Sequence, residues 1–348
     1  MLDRLRPCTK EPMIKELTLL DLVHDDLRKV ELKMRTMGEG AYRPLAEAFL
    51  QLLGSGGKRL RPALALAGYE LFAGHAAPER RRDSAAKVIA LAAAVETLHN
   101  ATLVHDDLID GALMRRGNTT LNAVWSKGAT VLAGDYLFAR AAGFAAETEN
   151  IRVVQLFADT LRIICEGELR QHFSCRDWLQ PKEAYYPRIF AKTASLFASA
   201  TRSGAILAGA APDHEQALYD YGHHLGMAFQ IVDDILDYSG VESVLGKPVG
   251  GDLRGGIVTL PLFYFLQFQV NPDAMVARLE KATASGNSGD DGIADLVAEV
   301  RASGAIARAL EEARDFSERA KDDLAALPDS EYRQALCELA DFVISRHL

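Results

Sequence analysis

Cysteine is scarce in this chain. The four present, Cys8, Cys165, Cys175 and Cys337, are scattered without a C-x-x-C spacing, so neither a disulfide framework nor a zinc ribbon fits, and a reducing cytoplasm is the expected setting. No apolar run reaches the ~18 residues of a membrane span. The nearest stretch, 85–104, is broken by Lys87, Glu96, His99 and Asn100 and reads as a buried core helix. The N-terminus lacks a basic-then-apolar signal pattern. Period-two alternation is almost absent, which excludes an extensive half-buried sheet. There is no Gly-x-x-x-x-Gly-Lys-Ser/Thr loop and no serine or cysteine triad pattern. Basic excess is missing too: the net charge of −9 argues against a nucleic-acid partner, because binding a polyanion needs a basic surface that releases counterions.

What remains is ample for one large helical core. Hydrophobic residues make up 49% and charged residues 25% of 348 residues. Residues 1–14 carry mixed charge with Pro7 and Pro12 and are expected to form a flexible arm, with 15–348 as a single all-α domain. Apolar spacing by three and four predicts helices over 17–37, 42–53, 63–73, 129–148, 151–172, 186–207 and 213–238, and a long helix from 85 onward. Asp213 is a candidate cap for the 213–238 helix. The stretch 54–57, Gly-Ser-Gly-Gly, stops one helix, and Pro62 is placed near the first position of the next.

The most informative stretch is Leu-Val-His-Asp-Asp-Leu-Ile-Asp-Gly-Ala-Leu-Met-Arg-Arg-Gly at 103–117. On a helix Asp106 and Asp110 share a face, with Asp107 beside them. Carboxylates so close repel unless a cation sits among them, and hard oxygen ligands suit magnesium, which keeps waters and accepts phosphate oxygens. A second copy, Asp233, Asp234 and Asp237, ends another apolar helix. The chain also contains its own control. Val-His-Asp-Asp-Leu occurs at 23–27 as well, but there Arg28 and Lys29 replace the continuation to a third aspartate, predicting charge pairing along a solvated face.

Cations cluster where an anion would need them. Lys58, Arg59 and Arg61 follow the glycine turn at a helix start, a favourable anion cradle, and Arg115 and Arg116 follow the first acidic cluster. Lys192-Thr193 interrupts an apolar, small-residue helix, where a lysine snorkels or meets an anion. His99 lies two helical turns before Asp106; by itself it is more often a satisfied core histidine. The segment 239–256, rich in glycine and carrying Lys247, Asp252 and Arg254, is expected to act as a lid.

Together these motifs, Gly-Gly-Lys-Arg-Leu-Arg-Pro, two aspartate clusters, Arg115-Arg116, Lys192-Thr193 and Gln230, resemble the trans-polyprenyl diphosphate synthases in order and spacing over 56–262. The resemblance implies the isoprenoid synthase fold, roughly ten or more mostly antiparallel helices around a central apolar cavity, and a homodimer. It implies condensation of isopentenyl diphosphate with an allylic diphosphate, using about three magnesium ions, with manganese as a substitute. A transient membrane contact for product release is compatible with it. Asp106, Asp107, Asp110, Asp233, Asp234 and Asp237 are then the metal-binding set, with Asp106, Asp110 and Asp233 as direct ligands. Arg115, Lys192 and Lys247 are similar to the cations on the allylic diphosphate. Lys58, Arg61, His99 and Arg116 resemble the isopentenyl diphosphate pocket, and Thr193 and Gln230 the residues that stabilise the carbocation. Ile257 departs from the pattern, standing where many relatives have lysine.

Product length is expected to depend on Leu98, Ala101 and Thr102, which lie upstream of Asp106 on the same helix. No aromatic floor is present there, and the resemblance points to a medium- or long-chain product of about seven to ten isoprene units. A class I terpene cyclase and a non-catalytic subunit of a heteromeric synthase are the competing readings. A cyclase usually has an Asn/Ser/Glu pattern in place of the second aspartate cluster and no need of the second diphosphate pocket that Lys58, Arg61 and His99 resemble, and such a subunit loses motif aspartates.

Overall fold

The computed structural model describes residues 17–54, 56–74, 78–115, 117–240, 249–284 and 290–345. The expected arm, Arg116 and Lys247 lie outside them. Among the described residues the helices are joined by turns and loops, and the only strands form a two-residue-strand hairpin, Met114–Arg115 with Asn118–Thr119. In order the helices are α1 Thr18–Leu22, α2 His24–Arg35, α3 Arg43–Gly54, α4 Leu60–Ala73, α5 Pro78–Ile109, α6 Leu121–Val124, α7 Lys127–Ala146, α8 Ile151–Phe173, α9 Tyr185–Ile189, α10 Ser195–Ala208 and α11 Pro212–Ser239. They continue with α12 Gly251–Gly255, α13 Leu260–Gln267, α14 Pro272–Ala284, α15 Asp290–Ala302, α16 Ala305–Asp323 and α17 Glu331–Ser345.

Two apolar cores organise the bundle. The larger gathers α4, α5, α7, α10 and the first half of α11; the smaller gathers α9, α13, α15, α16 and the second half of α11. Helix α11 therefore passes through both, burying Leu218, Tyr221 and Leu225 in one and Ile231, Val232, Ile235 and Tyr238 in the other. Helix α5 is long and apolar enough to cross a membrane by composition, yet it packs against α4, α7 and α10 and is mostly buried. That matches the core helix expected over 85–104.

Several helix limits differ from the periodicity. Helix α5 starts at Pro78, not near 85, because proline at the first turn and Glu79 behind it suit a helix N-terminus. Helix α4 begins at Leu60 rather than 63, since Arg59 takes the left-handed conformation (φ 50°) that reverses the chain after the glycine turn. Helix α11 has Ala211 as its cap residue and Pro212 at its first position, so Asp213 lies inside the first turn rather than capping it. The pairing expected on the control copy is present: Lys29 Nζ lies 2.6 Å from Asp26 Oδ1 on the exposed side of α2.

Candidate active site

The first acidic cluster sits where α5 is made to stop. Gly111 adopts φ 64°, its N–H bonds the Leu108 carbonyl at 3.3 Å, and the Ala112 N–H reaches back to the Asp107 carbonyl at 2.8 Å. This glycine-dependent termination leaves Asp106 half-buried, Asp107 buried and Asp110 exposed at one end of the bundle. Asp107 is engaged by Arg115, whose Nε donates to Oδ1 at 2.7 Å. Burial, above all, lifts the Asp106 carboxyl from its ordinary 3.8 to about 7, with Lys192 and Arg115 pulling it down and Glu168 and Asp110 adding to the rise.

Lys192 reaches this cluster from an unexpected backbone. The sequence predicts one helix over 186–207, but residues Phe190–Ala194 form a π-helical turn between α9 and α10. Such a turn inserts an extra residue and recurs at functional sites; here it carries Lys192 and Thr193. Lys192 Nζ lies 3.4 Å from Glu168 Oε1 on α8. Burial would lower its pKa, yet it is raised, because the charges of Glu168, Asp106, Asp252 and Asp110 outweigh that cost. Lys192 thus stands in the field of the first cluster and of Asp252, which is tied to the second.

The second cluster ends α11. Asp233 is half-buried, whereas Asp234 and Asp237 are buried. Asp237 anchors the following segment: its Oδ2 accepts from the Asp252 N–H at 3.0 Å and its carbonyl from the Gly250 N–H at 2.7 Å. Asp234 accepts from the Tyr185 hydroxyl at 2.7 Å and from Gln230 Nε2 at 2.8 Å. Its carboxyl is also pushed up to about 7, by burial first and by Asp252 next. Thr193 donates to Gln230 Oε1 at 2.5 Å, so these two expected partners are brought together.

A second set of cations lies along α4 and α5. Arg61 Nη1 is 3.1 Å from His99 Nε2, and the Arg61 guanidinium lies 5.0 Å from the centre of the Phe197 ring. Lys58 is exposed and sits 4.5 Å over the ring of Phe342 on α17. Arg59, given no separate role by the sequence, is the clamp of this corner. It donates to Glu96 Oε1 at 2.6 Å and to the Leu53 carbonyl at 2.7 Å, which holds the glycine turn against α5. Leu98 and Ala101 are fully buried, and Thr102 is half-buried with its hydroxyl on the His99 carbonyl.

Among the described residues no three acidic, histidine or cysteine side chains are gathered tightly enough to hold an ion unaided. The donor set nonetheless fits magnesium. It offers carboxylate oxygens where α5 stops and at the end of α11, and an ion completed by waters and phosphate oxygens needs only one or two carboxylates. Asp106, Asp110 and Asp233 could serve, while Asp107 and Asp237 also hold the protein together. Tyr185, Glu168 and Arg59 were not legible as site residues, because each acts through a partner distant in sequence.

An all-helical bundle with one acidic cluster where α5 stops and a second at the end of α11 defines the isoprenoid synthase class. The comparisons agree. The polyprenyl synthetase family matches residues 43–300, and the chain belongs to that family. It is 38% identical to the heptaprenyl diphosphate synthase component 2 of Geobacillus stearothermophilus, over 94% of this chain and 98% of that one. Its fold is similar to the crystal structure of a decaprenyl diphosphate synthase from Rhodobacter capsulatus, with a TM-score of 0.85, 36% identity and coverage of 95% and 98%. It is equally similar to a polyprenyl synthase from Caulobacter crescentus complexed with calcium and isoprenyl diphosphate, with a TM-score of 0.86, 37% identity and the same coverage.

Proposed function

We propose that this enzyme condenses isopentenyl diphosphate with an allylic diphosphate to make a medium- or long-chain all-trans polyprenyl diphosphate. The observation that carries the reading is Lys192, half-buried on the π-turn, 3.4 Å from Glu168 Oε1 and within the electrostatic field of Asp106, Asp110 and Asp252. A cation held among carboxylates is suited to a polyanion that arrives with its own metal ions. Asp106, Asp110 and Asp233 would hold magnesium, which when bound would supply Lewis acidity toward the departing diphosphate.

The protein groups do the rest. Lys192, Arg115 and Lys247 bind the allylic diphosphate and take up charge as its C–O bond breaks with the electron pair leaving on oxygen. Lys58, Arg61, His99 and Arg116 bind the second diphosphate, and Arg61 with His99 orients it. Thr193 and Gln230 offer acceptor oxygens to the allylic cation. The homoallylic double bond then forms the new C–C bond, and the released diphosphate takes the proton.

The homodimer is supported by α7, where Val131 and Leu132 are exposed and Asp135, Ala139, Ala142 and Gly143 continue the same uncovered side. Such a small-residue, partly apolar face suits a second copy. The test is product mass. The purified chain alone, given isopentenyl diphosphate, an allylic diphosphate and magnesium, is expected to make linear prenyl diphosphates of about seven to ten units. Cyclic hydrocarbons would favour the cyclase reading, and no product without an added subunit would favour the heteromeric one.

A further inference from the structure

Asp234 shares its motif with Asp233 but not its surroundings. It is 4% exposed, and both its oxygens accept from protein donors, Tyr185 at 2.7 Å and Gln230 Nε2 at 2.8 Å. Tyr185 is itself buried on α9, and the buried Arg188 guanidinium, 5.5 Å from the centre of its ring, bonds the Val258 carbonyl. The pair is therefore fixed from behind by elements outside the diphosphate site.

In its ionised form the Asp234 carboxyl can only accept, and with Tyr185 donating to Oδ2 its Oδ1 receives the Gln230 NH₂, which turns the amide oxygen toward Thr193. That oxygen can only accept as well, so the Thr193 hydroxyl spends its single proton on Gln230. What this corner retains for other partners is oxygen lone pairs, the negative ends of two dipoles. Without the acceptor at Asp234 the amide could flip and present N–H groups, the wrong sign for a developing cation.

We propose that Asp234 is a positioning residue and not a metal ligand, and that Tyr185 and Asp234 set the polarity of Gln230 and Thr193 toward the allylic carbon that becomes cationic. This rests on the prenyl-transfer reading, and turnover by the wild type is the control that separates the two.

The test compares wild type, Tyr185→Phe, Asp234→Asn and Asp233→Asn across magnesium concentration, with calorimetry of a non-ionisable allylic thiolo-diphosphate in the presence of magnesium. Tyr185→Phe and Asp234→Asn are expected to lower kcat about 10- to 100-fold. Their KM values, magnesium requirement and affinity for the analogue stay within about two-fold of wild type, the split expected when a transition-state interaction alone is lost. Asp233→Asn instead raises the magnesium requirement and weakens analogue binding. The proposal is overturned if Asp234→Asn follows the Asp233→Asn pattern and recovers at high magnesium, or if Tyr185→Phe keeps full kcat. Should Tyr185→Phe fail to fold, the Gln230→Leu variant with and without Asp234→Asn decides. Acting through Gln230, the second substitution costs little after the first; independent, multiplying losses contradict the proposal.

Discussion

A Cβ added to Gly226 on α11 would stand 2.5 Å from the Cα of Ala194, the last residue of the π-turn. Helix and turn thus meet backbone to backbone, and one helical turn further Gln230 receives the Thr193 hydroxyl. Gly222, one turn earlier, makes the same close approach to Ala198, at 2.6 Å.

Gly226→Ala should therefore push α11 off the π-turn. Overpacking of this kind costs about 1–3 kcal/mol, because the atom met is backbone and cannot rotate away. Denaturant unfolding should show that loss, and kcat should fall with it as the Thr193–Gln230 contact opens. An unchanged midpoint would mean that the two elements are not held in this contact.

Metal-free stability should depend on Asp106 with a definite sign. Burial raises its carboxyl to about 7 from 3.8, so between these values the folded state holds a proton that the unfolded chain has lost. The stabilisation from this group is complete below the unfolded value and lost as pH rises through about 7. In EDTA, Asp106→Asn should be more stable than wild type at pH 8, with the advantage shrinking toward pH 4. Urea midpoints across that range check this; a pH-independent difference would contradict it.

Much of the candidate site is readable because its signal is local. Spacing within 106–110 and 233–237 places three aspartates near each helix end, and the copy at 23–27 differs from them in carrying Lys29, which pairs with Asp26. The remainder depends on contacts that no spacing encodes. Which aspartate turns inward is decided by Tyr185, 49 positions from Asp234. The π-turn arises where α9 and α10 join under packing from α8 and α11, and the left-handed Arg59 is held by Glu96 across the glycine turn. Periodicity reports the buried face of a helix, not which neighbour it meets.

The two cation sets should separate in kinetics. Lys58→Ala and Arg116→Ala should raise the KM for isopentenyl diphosphate more than that for the allylic substrate, and Lys192→Ala should do the reverse. Initial rates with each substrate varied in turn test this, provided chemistry is slow enough for KM to follow affinity. Equal shifts in both constants would contradict the assignment.

Product length should respond at Ala101, which is fully buried with Leu98 in the larger core. A phenylalanine there occupies space that a growing tail would need, while overpacking costs about 1–3 kcal/mol. Ala101→Phe should therefore melt earlier and shift products toward shorter chains without loss of the diphosphate chemistry. Product masses from an active variant that match wild type would contradict this role.

The most direct test of a single ionisation site shared by two acidic clusters is the turnover of Asp106→Ala and Asp233→Ala at saturating magnesium, with folding checked by circular dichroism. Each removes a carboxylate where charge develops on the leaving group, and losses of at least ~100-fold are expected in both, with the helical spectrum unchanged. A near-wild-type rate in either variant would contradict the two-cluster mechanism.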